Sequence, residues 1–150
     1  MTAHFFSFRR TTVHRYQRGV AAVEFALVAM VFFTLLLGIM EFGRWLFILN
    51  SANEATRLGA RLAVVCSIST APQIRQRMSD MTIGIPVANM DITYSPTGCD
   101  ASNCTTVMAR LVGASFSPVT PFFGGTYPIP QFPVSLPRES MNSTNNPVCP

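Results

Sequence analysis

One apolar run with a single acid near its start constrains this chain more than any other feature. From Phe25 to Met40 the only polar side chain is Thr34. Counted from Val20, the run is 21 residues long, and as an α-helix it would measure about 30 Å, the thickness of a bilayer's hydrocarbon core. The sequence therefore predicts a membrane-spanning helix over residues 20–41.

Glu24 is the acid within this run and the first candidate for a functional residue. A carboxylate in hydrocarbon costs roughly 2.5 kcal/mol or more at mid-membrane, so Glu24 either lies close enough to the headgroups to reach water or has a partner. Cleavage after Gly19 would supply one, because the new amino group of Val20 is mostly protonated at neutral pH and lies one helical turn away. Pairing between neighbouring chains would set the axial register of a helical assembly.

The net positive charge lies in residues 1–19. Seven of the eleven arginines follow Gly19 and balance the seven acids, so the formal charge of +4 belongs to the leader arginines, which are Arg9, Arg10, Arg15 and Arg18. The positive-inside rule keeps this leader in the cytoplasm and sends the rest of the chain outward. A basic surface that processing removes argues against nucleic acid as a partner.

Two other readings of the leader and the apolar run remain open. An ordinary secretory signal also has a basic region before an apolar one, but this run is long for a signal and no Ala-x-Ala site follows it. An uncleaved signal anchor would keep the leader attached to the helix.

After Met40 the pattern changes to a one-sided apolar stripe, which predicts an amphipathic helix over residues 42–66. Two acid–arginine pairs are spaced to form ion pairs on its solvated face: Glu41 with Arg44, and Glu54 with Arg57. A row of small residues can receive either this chain's own head or a neighbouring helix. The stripe contains Phe42, Trp45, Leu46, Leu49, Ala52, Ala55, Leu58 or Gly59, and Leu62, and the small row contains Ala52, Thr56, Gly59 or Ala60, and Ala63.

Residues 17–61 carry several sequence blocks that resemble TadE-like proteins, the pseudopilins of the Tad (Flp) pilus machinery. These blocks are a basic leader ending in Gly19, VEFAL at 23–27, GIMEFGR at 38–44 and ATRLGAR at 55–61. The resemblance implies cleavage by a membrane prepilin peptidase between Gly19 and Val20, with Glu24 as the pilin glutamate. It also marks a helix motif made of Glu41, Phe42, Gly43, Arg44, Arg57, Gly59 and Arg61. TRLGAR departs slightly from the AREGAR that a more typical member would have.

Residues 67–150 predict a small α+β head with no motif of their own. Alternation and β-branched content favour strands at 90–94 and 105–116, paired as an antiparallel hairpin across the turn-rich residues 95–104. A short helix is expected at 73–81, with Ile74, Met78 and Met81 on one side. The Pro-rich stretch 117–133 is predicted to be irregular, and residues 132–136 are predicted to form an edge strand. The tail from Arg138 is expected to be disordered unless Cys149 forms a disulfide.

Four cysteines follow the span, in a compartment that should be oxidising, so disulfides are expected. Three connectivities are possible. The one favoured joins Cys99 to Cys104 across the turn and Cys66 to Cys149. A zinc site is a weak alternative, because the spacing lacks paired CxxC units.

Catalysis is not expected of this chain. Both histidines, His4 and His14, lie in the leader, and there is no lysine. None of the later acids has a spacing that argues for an acid–base pair. No cofactor, metal or small-molecule substrate is therefore predicted.

These observations predict a pilin-like α+β protein with a leader (1–19), a membrane helix (20–41), its amphipathic continuation (42–66) and a small antiparallel β head (67–150) with disulfides. The resemblance implies a minor pilin of a Tad pilus in the bacterial inner membrane, with the head outward. Its expected partners are the membrane, a prepilin peptidase and other pilins. The alternative is a single-pass membrane protein whose head binds a ligand or surface without a pilus role.

Overall fold

The computed structural model describes residues 17–120 and 123–149, so most of the leader lies outside the described residues. A long N-terminal apolar helix is followed by a small antiparallel head with two disulfides, which confirms the predicted α+β class. The elements are α1 (Gln17–Val65), α2 (Ala71–Asp80), β1 (Met90–Ser95), β2 (Thr106–Leu111), β3 (Ser115–Phe116), β4 (Tyr127–Pro128) and β5 (Val134–Pro137), with single 3-10 turns at Ile68–Thr70 and Val87–Asn89.

The chain forms two compact units, divided within α1 between Ile39 and Met40. In the first unit α1 exposes its apolar side chains, Phe25 among them. The hydroxyl of Thr34 donates to the carbonyl of Met30 at 2.7 Å, which satisfies it inside the helix. By length and composition, Gly19–Val65 is the one described helix long and apolar enough to cross a membrane. Helix α1 begins three residues before the predicted Val20 and ends at Val65, one residue before the predicted end of its amphipathic part.

The second unit contains the core, built from the later part of α1, α2 and the strands. The small residues of α1 lie at its centre, because Ala52, Thr56, Ala60 and Ala63 are fully buried. Small side chains let the head approach the helix backbone closely. This answers the question left open by the sequence: the small row receives the chain's own head.

Helix α2 starts earlier than predicted, with Pro72 inside its first turn rather than before it. Proline is tolerated there because the first N–H groups of a helix have no intrahelical partner. Ile74 and Met78 are buried as expected. Met81, predicted to share their face, follows the helix and is exposed, so that prediction is wrong.

Strands β1, β2 and β5 form an antiparallel sheet in the order β1-β2-β5. In the β1–β2 hairpin Met90 lies opposite Leu111 and Ser95 opposite Thr106, which confirms the predicted pairing. Strand β5 pairs only with β2 and is an edge strand, as predicted from its prolines.

The predicted long strand over 105–116 is wrong, because the chain breaks after β2. Gly113 has a φ of 65°, a left-handed conformation that glycine adopts without strain and that ends the extended run. The backbone of Val112 is held by Asn89, whose carbonyl accepts from the Val112 N–H at 2.9 Å. The chain then enters β3, which pairs with β4 in a separate two-stranded sheet. Strand β4 lies within the stretch 117–133 that was predicted to be irregular.

Candidate functional site

The predicted processing site lies in the first turns of α1. Gly19 and Val20 are helical and exposed, and a Cβ added at Gly19 would meet nothing within 4 Å. The first four N–H groups of a helix have no intrahelical partners, so this end unwinds at little cost. Gly19 and Val20 therefore lie on the exposed surface at the start of α1.

Glu24 lies one helical turn after Val20 on the same exposed helix. No salt bridge to Glu24 occurs among the side chains that the structure describes. A carboxylate surrounded by apolar side chains has a strong need for a positive partner in hydrocarbon. The spacing of four residues places the side chains of Val20 and Glu24 on the same side of the helix.

Glu41 and Arg44 of the GIMEFGR block hold a loop of the head. Their side chains form an ion pair at 3.0 Å, and the Glu41 side chain is only 11% exposed. The Glu41 carboxylate also accepts the N–H of Val119 at 3.2 Å, and Arg44 donates to the carbonyl of Ser117 at 3.4 Å. The guanidinium of Arg44 lies 5.0 Å from the ring centroid of Phe116, in a cation–π contact. The prediction of a solvated face is wrong for this pair.

Two other residues of that block, Phe42 and Gly43, are exposed and lie outside the core. Phe42 is 56% exposed, and its ring centroid lies 5.9 Å from that of Trp45. Gly43 is exposed, with no atom within 4 Å of an added Cβ. Phe42 and Leu46 were predicted to lie on the buried stripe; both are exposed, because the head covers a narrower arc of the helix than the apolar stripe spans.

The ATRLGAR block divides into a packed glycine and exposed charges. A Cβ on Gly59 would overlap the Sδ and Cε atoms of Met78, so a larger residue at this point would require the Met78 side chain to move. Arg57 pairs with Glu54 at 3.2 Å, with side chains 54% and 60% exposed, which confirms the solvated face for this pair. Arg61 is exposed.

The disulfides join Cys66 to Cys149 and Cys99 to Cys104, which is the pairing favoured from the sequence. All four thiols are thereby used, and no cysteine is free to bind zinc. Among the described residues, no three His, Cys, Asp or Glu side chains form a group that would hold a metal ion.

The first of these bridges fastens the tail to the end of α1. The N–H groups of Glu139 and Met141 donate to the carbonyl of Val64 at 3.1 and 3.3 Å, and that of Asn142 donates to Val65 at 2.8 Å. The last carbonyls of a helix have no intrahelical donors, so the tail caps α1. The tail is thus tied down, as expected if Cys149 were bonded.

Asp100 organises the turn closed by the second disulfide. Its carboxylate accepts from the N–H and hydroxyl of Ser102 at 2.7 and 2.5 Å, and from the N–H of Asn103 at 3.1 Å. These hydrogen bonds, led by that of the Ser102 side chain, lower the pKa of Asp100. The effect is local to an exposed turn.

A cavity of about 220 Å³ lies beside Arg44 in the second unit. Ligand pockets commonly measure about 300 to 1,000 Å³, so this one is small for a metabolite. Isoleucines form one part of its wall and serines another, and its one charged lining residue, Arg44, is paired with Glu41. The cavity gives no support to a ligand-binding head.

Sequence reasoning named the motif residues Glu41 and Arg44 but missed their partners in the head. Ser117 and Val119 lie more than seventy positions further along the chain. No local pattern marks residues that meet across such a separation. In the sequence, the only signals near this contact are Pro118 and Val119, which lie in a stretch predicted to be irregular.

Residues 19–61 match the family model described as "TadE-like protein". The match includes Glu24, the Glu41–Arg44 block and Gly59, and it stops before the head. It confirms the resemblance over this part, which is less than a third of the chain, and is consistent with a TadE-like protein of the Tad pilus system. No curated protein and no solved structure matches the chain.

Proposed function

Because residues 19–61 are TadE-like, we propose that this protein is a membrane-anchored minor pilin that acts in assembly of a Tad-type pilus. The observation that carries the proposal is that the family match begins at Gly19, the residue after which a pilin leader would be removed. The exposed apolar part of α1 supports a single-pass anchor. The basic leader favours a cytoplasmic N-terminus in the bacterial inner membrane, with the head outward.

Processing would take place in the first turn of α1, which would unwind locally when the peptidase binds it. Prepilin peptidase would cleave between Gly19 and Val20 and leave a protonated amino group on Val20. The acid for that group is already in place one turn further along, at Glu24. In this role the chain is the substrate of an enzyme and not an enzyme itself.

Assembly would use the pair between chains. In hydrocarbon an uncompensated carboxylate and an uncompensated ammonium are each costly, so bringing Glu24 against the Val20 terminus of a neighbour removes both penalties together. Such a pair has one favourable axial offset between helices. Other pilins of the system would be the partners, with the head carried on the outside.

The mass of the protein from cells that make the pilus tests the processing step. We expect the membrane-bound chain to begin at Val20, and the same chain in cells without the peptidase to begin at Met1. A functional chain that keeps its first nineteen residues would contradict the proposal and favour a single-pass protein with a surface-binding head.

The Glu24→Ala variant tests the assembly step. We expect normal cleavage but a several-fold loss of crosslinking to other pilins, because the neighbour's terminus loses its counter-charge. Glu54→Ala is the matched control, since it removes an acid from the exposed face of the same helix. Equal crosslinking by both variants would remove Glu24 from the mechanism.

A further inference from the structure

The loop Ser117–Thr120, called here the helix-contact loop, is held to one turn of α1, at Glu41 and Arg44. Glu41 accepts the N–H of Val119 at 3.2 Å, and Arg44 binds the carbonyl of Ser117 at 3.4 Å. Phe116, just before the loop, is buried and lies under the Arg44 guanidinium. The loop therefore stays beside residues 41–44 of the helix.

Two apolar side chains next to these contacts, those of Val119 and Phe42, are exposed. Val119 is 75% exposed although its backbone is fixed by Glu41, and Phe42 is 56% exposed one residue further along the helix. The core explains neither side chain, because neither packs into it. Exposed apolar groups that are held in place by polar contacts point to a partner surface.

The position of Glu41 in the sequence indicates which surface this is. Glu41 is the first residue after the apolar run that ends at Met40. In a membrane-anchored chain this residue lies at the boundary between hydrocarbon and headgroups. Because Val119 is hydrogen-bonded to Glu41, the side chain of Val119 lies at that boundary too.

The charges at this level are arranged for contact with lipid. The Glu41 carboxylate is covered by the loop and neutralised by Arg44, so it does not repel lipid phosphates. The Arg44 side chain is partly exposed, but its two terminal nitrogens already donate to Glu41 and Ser117, so the pair presents no net charge to the lipid.

We propose that the helix-contact loop is a second membrane contact, in which the side chain of Val119 inserts into the interfacial region of the bilayer. The partner is the lipid surface on the outer side of the anchor. The inference rests on the proposed membrane anchoring. It adds that the head is seated on the bilayer through this loop before the chain enters an assembly.

Tryptophan fluorescence in vesicles tests this contact. The full chain carrying Trp45→Phe and Val119→Trp would be placed in phosphatidylcholine–phosphatidylglycerol vesicles with and without lipids brominated near the headgroup. In vesicles without bromine we expect the tryptophan emission to be blue-shifted from its position in water. In brominated vesicles we expect most of the emission intensity to be quenched. Val148→Trp in the same background is the control, because Val148 is 55% exposed and adjoins Cys149, which is bonded to Cys66, roughly 37 Å along the helix rise from Glu41.

Each outcome decides the inference. Water-like emission from Val119→Trp that bromine leaves unchanged, as in the control, would overturn it. So would a blue shift without quenching, because another polypeptide would then cover the loop. If circular dichroism shows that Val119→Trp disturbs folding, Ser117→Trp takes its place, since Ser117 is also exposed.

Flotation of the unmodified chain with vesicles after an alkaline wash separates the two proposals. A chain that does not float would contradict the membrane anchor itself, and the loop contact with it. A chain that floats while the loop indole is unquenched would contradict only the loop contact.

Discussion

Glu41 and Glu54 have the same spacing to an arginine three residues further on, yet they lie in different surroundings. The Glu41 side chain is 11% exposed and accepts a backbone N–H from the head, whereas the Glu54 side chain is 60% exposed. An exposed ion pair contributes about 0 to 1 kcal/mol, and a hydrogen bond to a charged group contributes about 1.5 to 3 kcal/mol. Of the two acids, only Glu41 is therefore expected to change the free energy of unfolding measurably when it is replaced.

Replacing Glu41 by alanine should destabilise the head by about 1.5 to 3 kcal/mol. The change leaves the Val119 N–H and the Arg44 guanidinium without their acceptor. Urea unfolding of the detergent-solubilised chain, followed by near-ultraviolet circular dichroism, measures the effect, with Glu54→Ala as the control expected within about 0.5 kcal/mol of the parent. Equal effects of the two variants would show that the contact with the head carries no stability.

Gly59 and Gly43 form a second matched pair on α1. Gly59→Ala places a Cβ against Met78 and should cost about 1 to 3 kcal/mol, as overpacking of a core does. Gly43→Ala has open space around it and should be neutral or stabilise the helix by up to about 1 kcal/mol in water.

The same urea experiment measures both glycine variants. A Gly59→Ala variant as stable as the parent would mean that Met78 moves aside without loss of packing. A strongly destabilised Gly43→Ala would mean that the helix backbone at Gly43 is covered in the measured state.

At the scale of elements, the end of α1 depends on a segment that is distant in sequence. The tail donates three backbone N–H groups to the carbonyls of Val64 and Val65. Ser67 and Ser143 add a reciprocal pair of hydrogen bonds, each from a main-chain N–H to the other's hydroxyl, at 2.9 and 3.0 Å. The Cys66–Cys149 bridge keeps the tail in that place.

Replacing Cys66 and Cys149 together by serine should therefore lower stability by about 4 kcal/mol, since the bridge closes a loop with a sequence separation of 83 residues. The Cys99/Cys104 double replacement is the control, with a separation of 5 residues and an expected loss of about 2 kcal/mol in the same chain-entropy model.

Hydrogen exchange reports where each disulfide change acts. Loss of the long-range bridge should expose the amides of Glu139, Met141 and Asn142, while loss of the short one should leave them protected. Unchanged protection of these amides without the long-range bridge would contradict the tail's dependence on it.

At the scale of the whole molecule, burial is confined to one unit. The buried hydrophobic residues of the described chain run from Ile48 to Met141, all within Met40–Pro150. Most of the apolar side chains from Val20 to Met40 are exposed. Because the buried residues of the described chain all belong to the second unit, we expect that unit to fold by itself.

The fragment 40–150 is expected to be soluble and to form both disulfides when produced in an oxidising compartment. Its unfolding midpoint in urea should be close to that of the head in the full chain, because all buried contacts are retained. Gel filtration, a free-thiol assay and urea unfolding check these points. An aggregated fragment with free thiols would show that the first unit takes part in folding the head.

The amino-acid sequence by itself determined the elements that depend on local chemistry. The apolar run, the helix that continues from it, the β1–β2 hairpin and the edge position of β5 follow from periodicity, chain length and proline placement. The TadE-like blocks pointed to the family, and the Gly19-to-Glu24 spacing to the residues on which the proposed processing and assembly depend.

Only the tertiary structure decided which face of each element is covered and by what. The sequence could not tell that Glu41 meets Val119, that Phe42 is exposed, or that the extended run of β2 ends before Gly113. These outcomes depend on residues brought together over long separations, where the total packing of the head outweighs local preference. A helical stripe shows that one side will be buried, but the size and position of the partner determine how much of it is.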